Sequence, residues 1–248
     1  MPIVLNAIKA QTLKPTQTIV VNDGSEDDTS DIARGFGCIV LDLPRHDDSW
    51  SASPKLVRIF NEGLSYLKDD LYYVMILGAD HVLQPNYAEA IIDRMDRNPR
   101  LAISSGIING EIEKLLYPRG SGRVIRLNFW CKIGLCYPEF YGWESWLIFK
   151  ALQMGYDIKV FYDISSRVLR PTKIVKKYYG RAMRALGYWA PYALGRCFIM
   201  FLKRPKSAIQ MFFDWLIHYD VERLDISDWV TKYQKKVFLK RVSKVVGL

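Results

Sequence analysis

The run Thr18-Ile19-Val20-Val21-Asn22-Asp23-Gly24-Ser25 constrains the fold more than any other feature. It is β-branched up to a polar, glycine-containing turn and gives way to a helix-forming stretch at Thr29–Arg34. Strand–turn–helix units of this kind build open α/β sheets, whose ligands collect at the carboxyl ends of the strands. The unit recurs along the chain. Cys38–Leu43 is a second expected strand and Pro54–Leu67 a helix; Leu71–Leu77 is a third strand, running into Gly78-Ala79-Asp80-His81 ahead of a helix from Pro85 to Met95. Before the first unit, the apolar residues of Pro2–Gln11 fall at helical spacing, and Pro15 stops any continuation. Leu101–Ile108 reads as a strand, Tyr117–Arg126 as a basic loop, Trp143–Met154 as a helix closed by Gly155, and Ile158–Tyr162 as a late strand. The expected fold class is therefore α/β, a mostly parallel, Rossmann-like sheet flanked by helices, over residues 1–163.

After Arg170 the character changes. Lys173–Leu186, Tyr192–Leu202, Ser207–Tyr219 and Ser227–Val245 read as successive helices that carry aromatics and cations on the same segments, so residues 164–248 are expected to form a basic helical region. Charge divides in the same place. Residues 1–163 carry 17 Lys/Arg against 21 Asp/Glu, and residues 164–248 carry 18 against 5. Between Ser165 and Phe213 eleven basic residues occur and no acidic one, as on a surface that faces polyanions such as phospholipid headgroups or nucleic acid. A solvated basic face packed on the rest of the protein is the alternative. With 248 residues, half of them hydrophobic, the chain can bury a full core, which excludes a disordered protein.

Cys38, Cys131, Cys136 and Cys197 lack the spacing of a zinc site and read as reduced thiols of a cytosolic protein. No signal-peptide pattern is read at the start of the sequence. Arg196 and Lys203 interrupt the most apolar stretch, so attachment to a membrane is expected to be peripheral, at the inner face, rather than spanning.

Four clusters carry chemistry. Asp23 closes the first strand, where a carboxylate accepts hydrogen bonds from a nucleobase imide and Gly24 lets the backbone turn beside it. An aspartate there also serves as an ordinary helix cap. The segment from Gln11-Thr12 through Pro15 to Thr29 resembles the opening of family 2 glycosyltransferases. Pro54-Lys55-Leu56 through Asn61-Glu62-Gly63 is similar to that family's Gly-Lys-Ala helix and Asn-x-Gly, with Pro54 in place of the glycine. Tyr73 through Pro85 resembles its strand into Asp-Ala-Asp-Asp, with Gly78 where the first Asp stands and His81 in place of the last acid. Asn128 through Gly134, then Phe140-Tyr141-Gly142-Trp143-Glu144-Ser145-Trp146-Leu147, ending at Lys150 and Met154-Gly155-Tyr156, resembles the acceptor-side block whose helix begins Trp-Glu-Asp, with Ser145 in place of the Asp.

The four blocks span residues 2–156 in the family's order. The resemblance implies a glycosyltransferase A fold and inverting transfer of a sugar from a UDP, GDP or dTDP donor to a carbohydrate or lipid-linked acceptor, with Mg²⁺ or Mn²⁺. By the same resemblance, Asp23 reads the base, Lys55 offsets the donor diphosphate, Asp80 holds the metal, and Glu144 is the acid left to act as base. His81 either adds a nitrogen ligand or simply faces a carbonyl. Lys55 on a helix can equally be solvated, and Glu144 can be a plain first-turn glutamate. Lys176-Lys177-Tyr178-Tyr179-Gly180-Arg181 is similar to the basic, aromatic tails of members that act on lipid-linked acceptors, which adds an anionic membrane surface as a partner.

The family also begins with a strand ahead of the first helix, and this sequence starts at the helix. Either a strand of about ten residues is missing or another segment fills its place, and a donor site with neither would be compromised. Two other functions compete: a catalytically inactive relative serving as a binding scaffold, suggested by Gly78, Ser145 and the absent strand, and a nucleic-acid-binding protein, suggested by the basic half.

Overall fold

Pro2, whose fixed φ suits a first helical position, starts helix α1 (Pro2–Lys9) in the computed structural model, which describes residues 1–46, 53–110, 115–170 and 178–246. The chain divides into two compact units. One holds Met1–Ser49, Arg58–Tyr137 and Met154–Lys173; the other holds Trp50–Val57, Pro138–Gln153 and Ile174–Leu248.

In the first unit, β1 (Ile19–Asn22), α2 (Thr29–Gly35) and β2 (Ile39–Asp42) make the expected crossover, with β1 and β2 parallel and Ile19 opposite Ile39. Helix α1 ends two residues before Gln11, which is buried and bonds outward. The Gln11 amide donates to the carbonyls of Ala7 and Gln84, and its carbonyl accepts from the Ala88 amide, so the Gln-Thr pair ties α1 to the start of a later helix.

Helix α3 (Leu56–Ser65) follows, two residues shorter at each end than Pro54–Leu67, which leaves Lys55 in the turn before it. Then come β3 (Tyr73–Ile76), β4 (His81–Leu83), α4 (Tyr87–Asp96), β5 (Leu101–Ile108), β6 (Arg123–Arg126) and α5 (Leu127–Cys131). Helix α6 (Trp143–Gln153) belongs to the other unit, and β7 (Asp157–Val168) completes the sheet.

That sheet runs β3-β6-β5-β7-β4. Parallel pairing holds for β1–β2 and β5–β7, whereas β3–β6, β5–β6 and β4–β7 are antiparallel, so the sheet is mixed rather than mostly parallel. The cause is a change of connection. A parallel neighbour needs a helical crossover, and no described helix lies between β5 and β6. The segment Tyr117–Arg126, read as a loop, ends in strand β6. Its flanking arginines hide the strand pattern, although Arg123 is buried and gives its guanidinium to the carbonyls of Pro118 and Arg119. The late strand is also longer than Ile158–Tyr162, because β7 spans two neighbours, β5 and β4.

Helix α4 buries Tyr87, Ile91 and Met95, residues on one helical face, against Leu101, Val124, Phe161 and Ile164. Burial of the Tyr87 ring pushes its phenol up to about 12. The hydroxyl is satisfied on both sides: it accepts from the Gly106 amide and donates to the Gly122 carbonyl, each at 2.9 Å.

The second unit contains α6, α7 (Tyr179–Ala185), α8 (Ala190–Lys203), α9 (Pro205–Ile217) and α10 (Ser227–Val246). The helix expected at Lys173–Leu186 is α7 from Tyr179 onward; its earlier residues, with Lys176 and Lys177, lie outside the described residues. Met183, Ala193, Cys197, Met211 and Trp215 form a core between α7, α8 and α9. Buried Asp214 is paired there with Arg181, whose backbone amide and Nε donate to the carboxylate at 2.9 and 2.8 Å. Helix α6 joins the C-terminal helices through Asp225, which accepts from the Trp146 indole at 2.9 Å and from Lys150 at 2.6 Å.

Gly180 permits the α7–α9 approach: a Cβ there would stand 2.1 Å from the Trp215 backbone nitrogen. Gly180→Ala should therefore cost more than about 2 kcal/mol in chemical denaturation. Gly195→Ala, on exposed α8 with nothing within 4 Å of the new methyl, should be neutral or stabilise by about 0.5–1 kcal/mol.

Candidate functional site

Asp23 follows β1 in a turn built by its neighbours. Buried Asn22 donates to Ser30 Oγ at 2.7 Å and to Asp42 Oδ1 at 3.0 Å, while its own carbonyl oxygen accepts from the Ser25 amide at 3.0 Å. These bonds hold the Asp42 carboxyl below its ordinary range, the Ser30 hydroxyl contributing most. Gly24 has φ 72°, and a Cβ on it would stand 2.6 Å from Arg45 Cα, so only glycine lets the 43–46 segment cross the turn. That segment brings His46 Nε2 to 3.0 Å from Asp23 Oδ1. The Asp23 carboxylate thus lies half-buried, aimed by a turn that depends on Asn22, Ser30, Asp42 and His46. None of these four was singled out by sequence pattern, since their partners lie up to 23 residues away.

Asp80 sits in the turn between β3 and β4, and the departures from the acidic motif around it share one structural reason. Gly78 donates its amide to Ser121 Oγ at 2.8 Å, and a Cβ at Gly78 would stand 3.2 Å from that oxygen and 3.4 Å from Asp80 Oδ1. A side chain at 78 would thus press on the Ser121 hydroxyl. His81 is buried, with Nδ1 2.6 Å from Ser121 Oγ and Nε2 2.7 Å from Ser166 Oγ. Because Ser166 Oγ donates to the Ile107 carbonyl at 2.9 Å, it accepts from His81 Nε2–H, which leaves Nδ1 to accept from the Ser121 hydroxyl. Both ring nitrogens are engaged, so the reading of His81 as a nitrogen ligand is set aside: it faces two hydroxyls. Burial, helped by the nearby Arg119 charge, pushes its pKa down to about 4.

Asp80 itself is partly exposed. Its carbonyl accepts from the Leu169 amide at 2.8 Å, and its carboxylate lies 3.8 Å from Arg170 Nε. Among the described residues no cluster of three or more His, Cys, Asp or Glu converges. One carboxylate matches the way Mg²⁺ and similar hard cations are held when substrate phosphates and water supply the other oxygens. The residues present therefore fit a metal that arrives with a phosphorylated ligand, not a preformed protein cage.

The other two candidates belong to the second unit. Lys55 is exposed in the turn before α3. Glu144 is exposed in the first turn of α6, where the helix dipole favours an anion. Gly142 (φ 85°) precedes it, and a Cβ there would stand 2.9 Å from Leu186 Cδ1, so the close packing of this helix start requires glycine. The Tyr179 phenol is pushed up by burial and, second, by the Glu144 charge, which places that carboxylate within reach of α7. Asp23 and Asp80 thus belong to one unit, and Lys55 and Glu144 to the other.

The family model described as Glycosyl transferase family 2 matches residues 1–201. No curated protein matches the chain. Among solved structures, the mannosyltransferase PcManGT of Pyrobaculum calidifontis, in complex with GDP-Man and Mn²⁺, is 14% identical; the likeness covers 95% of this chain and 75% of that one, with a TM-score of 0.57. S. aureus TarS (residues 1–349) is 14% identical over 86% of this chain and 66% of its own, with a TM-score of 0.56. Glucosyl-3-phosphoglycerate synthase of Mycobacterium tuberculosis, in complex with Mn²⁺, UDP-Glc and phosphoglyceric acid, is 12% identical over 75% and 72%, with a TM-score of 0.52. At these identities the likeness is one of fold, the glycosyltransferase A fold.

The His81 arrangement has a consequence for stability. Its folded pKa, about 4, lies below its ordinary 6.5, so between these values the unfolded chain binds a proton that the folded chain does not. The contribution is complete above pH 6.5 and declines as the pH falls through 4, by up to about 3 kcal/mol. In metal-free buffer, His81→Gln should flatten the fall in denaturation free energy across that window relative to the unaltered protein.

Proposed function

The chain belongs to glycosyl transferase family 2, and from that premise we propose that it transfers a sugar from a nucleoside-diphosphate donor to an acceptor hydroxyl with inversion. The observation that carries the proposal is Asp80. It is a partly exposed carboxylate in a turn where the Gly78 amide and both His81 ring nitrogens are engaged, in the segment that resembles the family's acidic motif. Support for a UDP- or GDP-type donor comes from the fold neighbours in complex with GDP-Man and UDP-Glc; a dTDP sugar has the same recognisable parts.

In this reading Asp23 accepts hydrogen bonds from the nucleobase imide, and Lys55 offsets diphosphate charge. The acceptor oxygen attacks the anomeric carbon from behind as the Glu144 carboxylate takes its proton. The carbon–oxygen bond to the diphosphate breaks, and the nucleoside diphosphate leaves with the bonding pair. Asp80 would hold Mg²⁺ or Mn²⁺, which when bound neutralises charge on the departing diphosphate. We further infer a lipid-linked acceptor, met by a catalytic domain of residues 1–163 and a basic helical region of residues 164–248 peripheral to the inner face of a membrane. The eleven cations without an acid between Ser165 and Phe213 support this, as does the lack among the described residues of a helix long and apolar enough to cross one.

A second reading, a family member that binds without catalysing, is favoured by Gly78 and Ser145, which stand where the family carries carboxylates. Turnover of any nucleotide sugar excludes it.

Since no second carboxylate and no histidine or cysteine converge with Asp80 as a preformed cage among the described residues, the protein should bind metal and nucleotide together. In thermal-shift measurements, Mn²⁺ alone should leave the melting temperature unchanged, and a cognate UDP, GDP or dTDP sugar with Mn²⁺ should raise it. Asp80→Asn should abolish the rise. Glu144→Gln should keep the rise and lower the transfer rate by about 10²–10⁴-fold; unchanged transfer would remove Glu144 from the role of base.

A further inference from the structure

Helices α8 and α9 are apolar on two faces, and only one of them is used by the core. On α8 the inner face carries Ala193, Cys197 and Met200. The opposite face presents Leu194, Phe198, Phe201 and Leu202 at positions i, i+4, i+7 and i+8, with Phe198 64% and Leu202 70% exposed. On α9 the inner face carries Ala208, Met211 and Trp215. Its outer face repeats the spacing with Ile209, Phe213, Leu216 and Ile217, the last 62% exposed. Isolated exposed apolar residues are ordinary, but two continuous stripes on adjoining helices mark an interaction surface.

The charges beside the stripes select the partner. The two helices meet at Lys203-Arg204-Pro205-Lys206, all exposed. The nearest acid in sequence, Asp214, is buried and paired with Arg181 and His218 at 2.8 and 3.3 Å. A second copy of the chain placed face to face would set cations against cations. Nucleic acid would leave the aliphatic stripes without a partner. An anionic lipid surface satisfies both features, since the stripes enter the acyl boundary while the cations meet headgroup phosphates. The helices, of 14 and 13 residues, are about 20 Å long, too short for a hydrocarbon layer of about 30 Å. We propose that the α8–α9 hairpin lies in the plane of an anionic membrane, its outer face buried in the lipid. This gives residues to the membrane part of the reading above and does not depend on the transfer chemistry.

The test is co-sedimentation of the full chain with phosphatidylcholine vesicles, with and without about one quarter phosphatidylglycerol, in the absence of donor and acceptor. The protein should bind the anionic vesicles at least about tenfold more tightly than the neutral ones, and salt should weaken that binding. Phe198→Ser with Phe213→Ser, and separately Lys203→Gln with Lys206→Gln, should each weaken it about tenfold or more without changing the melting temperature. Binding that ignores the Phe pair overturns the proposal. So does a failure to bind vesicles accompanied by a dimer that the Phe pair dissociates, or by salt-sensitive binding to oligonucleotides. Transfer activity is scored separately with a water-soluble acceptor, so loss of membrane binding and loss of catalysis are told apart.

Discussion

A buried imidazole cannot be left with an unpaired donor or acceptor, and the region around Asp80 is arranged to meet that requirement at His81. The bonds run in one direction: Gly78 amide to Ser121 hydroxyl, Ser121 to His81 Nδ1, His81 Nε2 to Ser166, and Ser166 to the Ile107 carbonyl. This chain fastens the β3–β4 turn, the loop before β6 and strands β5 and β7 to one another. Each member has a single role that the others fix, so the neutral tautomer is set by the fold. Asp80, one residue before His81, keeps its carboxylate partly exposed, with one oxygen 3.8 Å from Arg170 Nε. The cost is a histidine that no longer protonates in the ordinary range.

The same constraint accounts for what the family motif has lost. A side chain at 78 would press on the Ser121 hydroxyl, and an acid at 81 would be a buried charge between two serines. Gly78 and His81 therefore go together as one substitution of a hydrogen-bonded core for carboxylates.

The helices and strands that follow strong local patterns were legible in the sequence. α1, α2, α4, α6 and α8–α10 carry 3.6-residue periodicity or clear stops, and β1, β2, β3 and β5 are β-branched or apolar runs. Strand β4 was missed because it has three residues and begins with a buried histidine; β6 was missed because arginines flank it. The pairing directions were misjudged where β5 meets β6, since nothing in a strand's own residues states which neighbour it will find. At the site, Asp23 and Asp80 were visible as turn carboxylates. The residues that aim them were not, because Asn22–Asp42, Asp23–His46 and His81–Ser166 are contacts made by the fold across 20 to 85 residues. The basic half was visible as charge. Which apolar positions of α8 and α9 face outward became clear only once the inner faces were seen to be filled by α7 and by each other.

In the proposed reading Asp80 is the carboxylate for a metal that enters with the donor, beside a His81 that takes no part in ligation. Anomalous diffraction at the manganese edge, from crystals grown with Mn²⁺ and UDP or GDP, tests it directly. A single manganese peak is expected at coordination distance from an Asp80 oxygen and from nucleotide phosphates, with His81 still between Ser121 and Ser166. Manganese held by His81, or bound with nucleotide at a place that does not include Asp80, would contradict it.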